Sequence, residues 1–241
     1  MRRAPAGGID LSIYAKAIPL LLRNPSIIVV PLLMAVAGVL VGITFSAGSG
    51  AVGVATSGLA GLIVALLELF GLAVACIIAD DAWRQGRASF ERGWTEARRR
   101  SGEILYVSFG LVLLMTVAQF TSTLLGSFAL ILMAAVVLFF IWAVPATAVG
   151  GVPGVAAIGL SVERVRASPI SSAVAAVVTI ALVLFVPSYA GAWIALQVLP
   201  YTGGSIIAGM LITALIQAIA IGYVALVLTK TYTDAAFGRR S

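Results

Sequence analysis

Three stretches of the chain carry almost no charge: Asn24–Ala79, interrupted only by Glu68, then Ile104–Val162, then Ala167–Thr229. Runs of this kind do not suit water, since a soluble domain is about 25% charged. Here 10% of the 241 residues are charged, 61% are hydrophobic, and the mean hydropathy is +1.14. A bilayer-crossing helix needs roughly 20 apolar residues, so each stretch is too long for one crossing and suits a pair. A membrane β-barrel would show short strands of alternating apolar and polar residues, a pattern this sequence lacks. The expected fold is therefore an all-α polytopic helix bundle, one membrane domain over 1–241. Its spans are expected at Ser26–Phe45, Ser57–Ala79, Glu103–Thr121, Ser127–Ala148, Ile170–Val198 and Ser205–Thr229.

The breaks between spans have a chemical basis. "SAGSGAVGVATSG", ending at Gly58, reads as a flexible Gly/Ser-rich loop, and "PYTGG" at Pro200–Gly204 as a tight turn. A turn near Thr121–Gly126 follows from length, because Ile104–Ala148 at about 1.5 Å per residue exceeds twice the hydrocarbon thickness. The N-terminus is not expected to be a cleaved signal, since Lys16 and Arg23 break its first apolar run.

All 15 lysines and arginines fall on one side of this arrangement. They are Arg2, Arg3, Lys16 and Arg23; Arg84, Arg87, Arg92, Arg98, Arg99 and Arg100; Arg164 and Arg166; and Lys230, Arg239 and Arg240. The loops of the other side have none. The positive-inside rule then places both termini in the cytoplasm of a cell membrane, and favours six spans over an odd number. In intact cells, Ser49→Cys is expected to react with an impermeant thiol reagent, and Ser101→Cys only after permeabilisation. The reverse at either position would overturn this topology.

The segments that lead into the odd-numbered spans share a pattern. Each is amphipathic and ends at a helix-start signal: Asn24-Pro25, Ser101-Gly102 or Ser168-Pro169. In the first, Tyr14, Ile18 and Leu22 share a face, although Pro19 weakens the helix; in the second, Phe90, Trp94 and Ala97 do; in the third, Val155, Ile158, Val162 and Val165 do. The unit reads as an interfacial helix followed by a hairpin, repeated three times. These helices are expected to cover the ends of the spans. Phe90 and Trp94 in the interface, with Arg98, Arg99 and Arg100 at anionic head groups, form the strongest candidate for lipid contact.

Glu68 is the one formal charge at the middle of a span. An ionised carboxylate there costs at least ~2.5–3.5 kcal/mol, and no cationic side chain is available within the spans, so a neutral carboxyl is expected. Its face carries Gly61, Ala65, Gly71, Leu72 and Ala75, small residues suited to close helix approach. Candidate partners for one interhelical hydrogen bond are Gln119, Gln197, Gln217, Thr213 and Tyr223. Thr213 and Gln217, which share a face of the sixth span, come first. Gly38 and Gly42 form a GxxxG pair suited to packing within the chain or against another subunit. Pro145 and Pro187 are expected to kink the fourth and fifth spans, and Trp142 and Trp193 to join aromatic belts.

The chain has no histidine and one cysteine, Cys76, which removes histidine-ligated haem or zinc and any intrachain disulfide. No phosphate-binding loop, zinc-protease motif or serine or thiol nucleophile stands in the required context. No enzyme activity, metal or cofactor is expected. The net charge of +6 follows from membrane topology and does not indicate nucleic acid.

At "FFIWAVPATAVGGVPGVAAIGLSVERVRASP" the chain resembles a broad group of prokaryotic six-span integral membrane proteins, some of them fused to glycerophosphodiester phosphodiesterase domains. The likeness rests on a span ending in "WAVPA" (Trp142–Ala146), the "AIGLSVERVR" helix at Ala157–Arg166 and a further span. "WRQGRASFERGWTEARRR" and "LLLRNPSIIVVPLL" fit the same arrangement. The resemblance implies a helical membrane architecture and carries over no catalytic residue.

Two functions remain open. One is a non-catalytic subunit or scaffold of a membrane assembly, in contact with lipid and with other subunits or a second copy of itself. The other is a small proton-coupled transporter or channel using Glu68.

Overall fold

The computed structural model describes residues 10–45, 50–121, 126, 128–198 and 203–237. Every element among them is helical. In chain order these are α1 (Leu11–Arg23), α2 (Ser26–Phe45), α3 (Gly50–Gln85), α4 (Phe90–Arg99), α5 (Ser101–Phe120), α6 (Phe128–Phe140), α7 (Ala143–Ala148), α8 (Gly154–Ala167), α9 (Pro169–Thr179), a π-helical segment (Ile180–Phe185), α10 (Val186–Val198) and α11 (Gly203–Phe237). Six are long and apolar enough to cross a membrane, once α6–α7 and α9–α10 are each counted as one span. The protein is a multi-pass all-α bundle. Short helices α1, α4 and α8 each precede a hairpin, the three-part order read from the sequence.

Several boundaries differ from the expected ones. Helix α3 begins at Gly50, so the Gly/Ser-rich stretch through Gly58 is largely helix. Its glycines each cost roughly 1 kcal/mol in a helix, but backbone within a bilayer must satisfy its own hydrogen bonds. Helices α3 and α11 also run past their apolar blocks to Gln85 and Phe237, stabilised there by ion pairs one turn apart, Arg84–Asp80 at 2.8 Å and Lys230–Asp234 at 2.8 Å. The turn expected at Pro200–Gly204 lies largely outside the described residues.

Helices α2, α3 and α11 form the centre of the bundle. Gly71 of α3 permits a close backbone approach: a Cβ there would stand 3.3 Å from the Cα of Pro31 on α2. Burial is uneven along the spans. It concentrates in the half nearest the basic residues, at Ile27–Ala35 of α2, Ala73–Ala79 of α3, Ile141–Ala148 and Val224–Thr229 of α11. Toward the uncharged end, Leu40, Leu59, Ile131, Trp193 and Leu196 are all more than half exposed. Span 5 is the least covered, with 17% of its most apolar window buried against 56% in span 6.

Two spans are irregular, and both contain the prolines noted above. Pro187 has no N–H to give the Val183 carbonyl, and its ring crowds that group; the π turn at Ile180–Phe185 lies just before it. Span 4 breaks at Ile141–Trp142, between α6 and α7. Pro145 falls in the first turn of α7, where its missing N–H is not needed.

The first amphipathic helix is turned differently from the sequence reading. The bundle buries Ile13, Ala17 and Leu21 of α1, while Ile18 and Leu22 are exposed. Both stripes are apolar, and packing against α11 selects the first. Nor do the helix-start residues act as side-chain caps. Ser168 and the start of α5 make no such bond. Buried Asn24 instead ties α1 to the α3–α4 connection. Its Nδ2 donates to the carbonyls of Leu20 (2.9 Å) and Gly86 (3.4 Å), and its Oδ1 accepts from the Ala88 N–H (2.7 Å).

Candidate functional site

Glu68 lies on α3 at the deep end of a groove of about 400 Å³ between α2 and α3. Gly42, Phe45, Ser57, Ala60, Gly61, Val64 and Ala65 line the rest. The groove is apolar apart from Ser57 and the carboxyl. On the other side, the Gln217 side chain of α11 is the hydrogen-bonding neighbour of the Glu68 carboxyl. The carboxyl of α3 thus faces Gln217 of α11 on one side and an open space beside α2 on the other.

The glycines near Glu68 divide into two groups. Gly38 and Gly71 lie in helix contacts: a Cβ on Gly38 would meet Val64 Cγ1 at 3.2 Å, and one on Gly71 would meet Pro31 and Met34. Gly42 and Gly61, expected as packing residues, face the groove instead, and a Cβ on either meets nothing within 4 Å. Their missing side chains help form the open volume.

The other polar candidates are not gathered around Glu68. Thr213 donates to the Gly209 carbonyl (2.9 Å) and presses against Gly191 of α10. Gln119 is exposed on α5. Tyr223 donates to the Tyr14 carbonyl at 3.1 Å, tying α11 to α1. The Gln197 side chain lies outside those described.

The interfacial candidates split as well. Phe90 and Trp94 of α4 stack with ring centroids 6.3 Å apart, and Trp94 meets Phe70 of α3 edge-on at 6.5 Å. Arg98 and Arg99 are exposed. Hydrogen bonding from Arg99, aided by the charge of Arg100, holds the Glu96 carboxyl below its ordinary range. Arg100, expected at lipid head groups, turns inward. Its Nε donates to Glu96, and its Nη1 reaches the Thr147 carbonyl at 3.5 Å and the Ala148 carbonyl at 3.2 Å, capping the C-terminal end of α7. A cation is favourable at that negative pole.

The broken span 4 contains a polar cluster that sequence reasoning missed. Ser161 of α8, fully buried, accepts the Trp142 N–H (3.1 Å) and donates to the Phe139 carbonyl (2.8 Å). Trp142 is buried rather than in an aromatic belt, and its indole N–H donates to Ser172 Oγ (2.9 Å). Glu103 Oε2 accepts the Gly154 N–H at 2.7 Å, at the start of α8. Beside this cluster, Arg164 donates to the Tyr232 carbonyl (3.0 Å), and its guanidinium carbon lies 4.5 Å from the Tyr232 ring centroid and 5.8 Å from that of Trp142. Burial pulls the Arg164 guanidinium below its ordinary value, an effect opposed by Tyr232. The "WAVPA" stretch, where the short buried helix begins, was the available signal; the serines that secure it lie too far along the chain to be linked by spacing.

No family model, curated protein or solved structure matches the chain. Among the described residues, no group of histidine, cysteine, aspartate and glutamate is arranged to hold a metal ion.

Proposed function

We propose that the protein is a non-catalytic subunit or scaffold of a membrane assembly. The uneven burial carries this reading. The buried residues concentrate in the half of the bundle near the basic residues, although Tyr106, Phe109 and Ile170 are exposed there too, whereas the other half has little buried and exposes long apolar side chains on several spans. Lipid covers such surfaces adequately, and so do helices of a neighbouring subunit, whose association in a bilayer depends on packing rather than water exclusion. The resemblance to six-span membrane proteins read at Trp142–Arg166 carries over no catalytic residue, in keeping with this reading. A photo-crosslinking residue at Leu59 or Leu40, in native membranes, tests it. Discrete protein adducts that co-migrate after gentle solubilisation are expected, and lipid adducts alone on a monomer would overturn the reading.

The groove at Glu68 favours a second reading, a small proton-coupled transporter. A carboxyl beside an open volume at mid-span is the usual position of a coupling acid. Glu68→Gln separates the two. As a structural group, the amide still bonds to Gln217, so fold and assembly should persist, while Glu68→Leu should cost about 1 kcal/mol. As a coupling acid, Glu68→Gln should abolish flux driven by a pH gradient in proteoliposomes and leave expression unchanged. The expected result is no Glu68-dependent flux, because the three charge-poor stretches hold no second carboxylate, lysine or arginine to pass a proton on.

A further inference from the structure

Arg164 carries a positive charge that no described carboxylate balances. It is half-buried on α8, and among the described residues no carboxylate forms an ion pair with it. Of a guanidinium's five N–H donors, one is used among the described residues, on the Tyr232 carbonyl. The rings of Tyr232 and Trp142 flank the group and hold it in place. A partly desolvated cation in this state is stabilised by an anion.

In front of Arg164 is a recess of about 340 Å³ between α8 and the end of α11, lined by Leu160, Glu163, Arg164, Ala167, Tyr232 and Ala236. The recess lies at the basic end, where span 5 starts and span 6 finishes. Its composition is specific: one cation, one anion and an apolar wall. Glu163, the adjacent residue on α8, is exposed and makes no ion pair with Arg164. A purely anionic ligand bound to Arg164 would be repelled by Glu163. A zwitterion with a phosphate and an ammonium satisfies both residues. Leu160, Ala167 and Ala236 then suit the first carbons of an acyl chain.

We propose that this recess seats one phospholipid of the ethanolamine class, with its phosphate on Arg164 and its primary ammonium on Glu163. The guanidinium fork matches a phosphate in shape and charge. A primary ammonium donates hydrogen bonds to a carboxylate, which the quaternary ammonium of choline cannot do. The seat is separate from the exposed arginines of α4, and it selects for a zwitterion where those favour negative charge.

The test uses the full-length protein in neutral detergent, stripped of native lipid. Lipid retention is measured by native mass spectrometry, and thermal stability by unfolding midpoint, with added phosphatidylethanolamine, phosphatidylcholine, phosphatidylglycerol or inorganic phosphate. Phosphatidylethanolamine should bind roughly tenfold more tightly than the other lipids and alone raise the midpoint by several degrees, with inorganic phosphate without effect. Glu163→Gln, an exposed change that leaves the fold intact, should remove the preference over phosphatidylcholine. Arg164→Gln should weaken both lipids, and Ala236→Trp should fill the recess and abolish retention. Equal binding of all lipids, equal stabilisation by inorganic phosphate, or a preference that survives Glu163→Gln would overturn the proposal.

Discussion

Ser161→Ala is expected to destabilise the protein by about 2–4 kcal/mol, a large effect for the loss of one oxygen. The serine hydroxyl bridges the two sides of the break in span 4, accepting from the Trp142 N–H and donating to the Phe139 carbonyl. Within a regular helix these groups would find partners one turn away. At the break they have none, and Ser161 is inaccessible to water that could replace the lost bonds. Each buried backbone group left unpaired costs about 1–3 kcal/mol. Ser172→Ala is the control: it removes the indole partner of Trp142, an ordinary interhelical bond worth about 0.6 kcal/mol, and a bond to the Ser168 carbonyl, which keeps its backbone partner. Unfolding in mixed micelles measures both. A Ser161→Ala loss no greater than that of Ser172→Ala would show that the break does not depend on this hydroxyl.

Gly191→Ala is expected to cost about 2–3 kcal/mol by overpacking, and Thr213→Gly should restore most of it. A methyl group on Gly191 would run into the Thr213 hydroxyl, which can rotate away. It would also stand 2.9 Å from Thr213 Cβ and 3.1 Å from its Cα, and these cannot move without shifting α11. Because span 5 has little else buried, this crossing holds much of its attachment. The two substitutions should therefore be strongly non-additive in a double-mutant cycle. If Gly191→Ala is neutral, or if Thr213→Gly deepens the loss, the crossing is not limited by this contact.

These two sites show which part of the structure the sequence makes legible. The spans can be read because a bilayer imposes one demand, apolar length, on consecutive residues. Charge placement adds the grouping of basic segments. Helix rotation is harder to read. In α1 the stripes Ile13–Ala17–Leu21 and Tyr14–Ile18–Leu22 are equally apolar, and only the neighbouring α11 distinguishes them. Arg100 is similar: three consecutive arginines look alike in sequence, yet one of them caps α7 because α7 ends beside it. Glu68 stands out by its charge, but Thr213 and Gln217 lie one turn apart on the same face, and the position of α10 decides which is occupied elsewhere. Ser161 is the least legible. Serine is common in helices, and its role depends on a break 19 residues earlier in the chain.

The centre of the bundle joins the first spans to the last, which sets an order in time on how the protein can be made. Trp83 donates to the Leu226 carbonyl (2.9 Å), Thr229 to that of Cys76 (3.2 Å), and Tyr223 to that of Tyr14 across 209 residues. The ribosome releases α2 and α3 long before it reaches α11. During that interval the faces destined for span 6 have no partner from their own chain, and lipid, the insertion machinery or the intervening helices must shield them. The last helix to be synthesised is thus the one that completes the core, and a chain that stops short of it leaves its first hairpin unfinished.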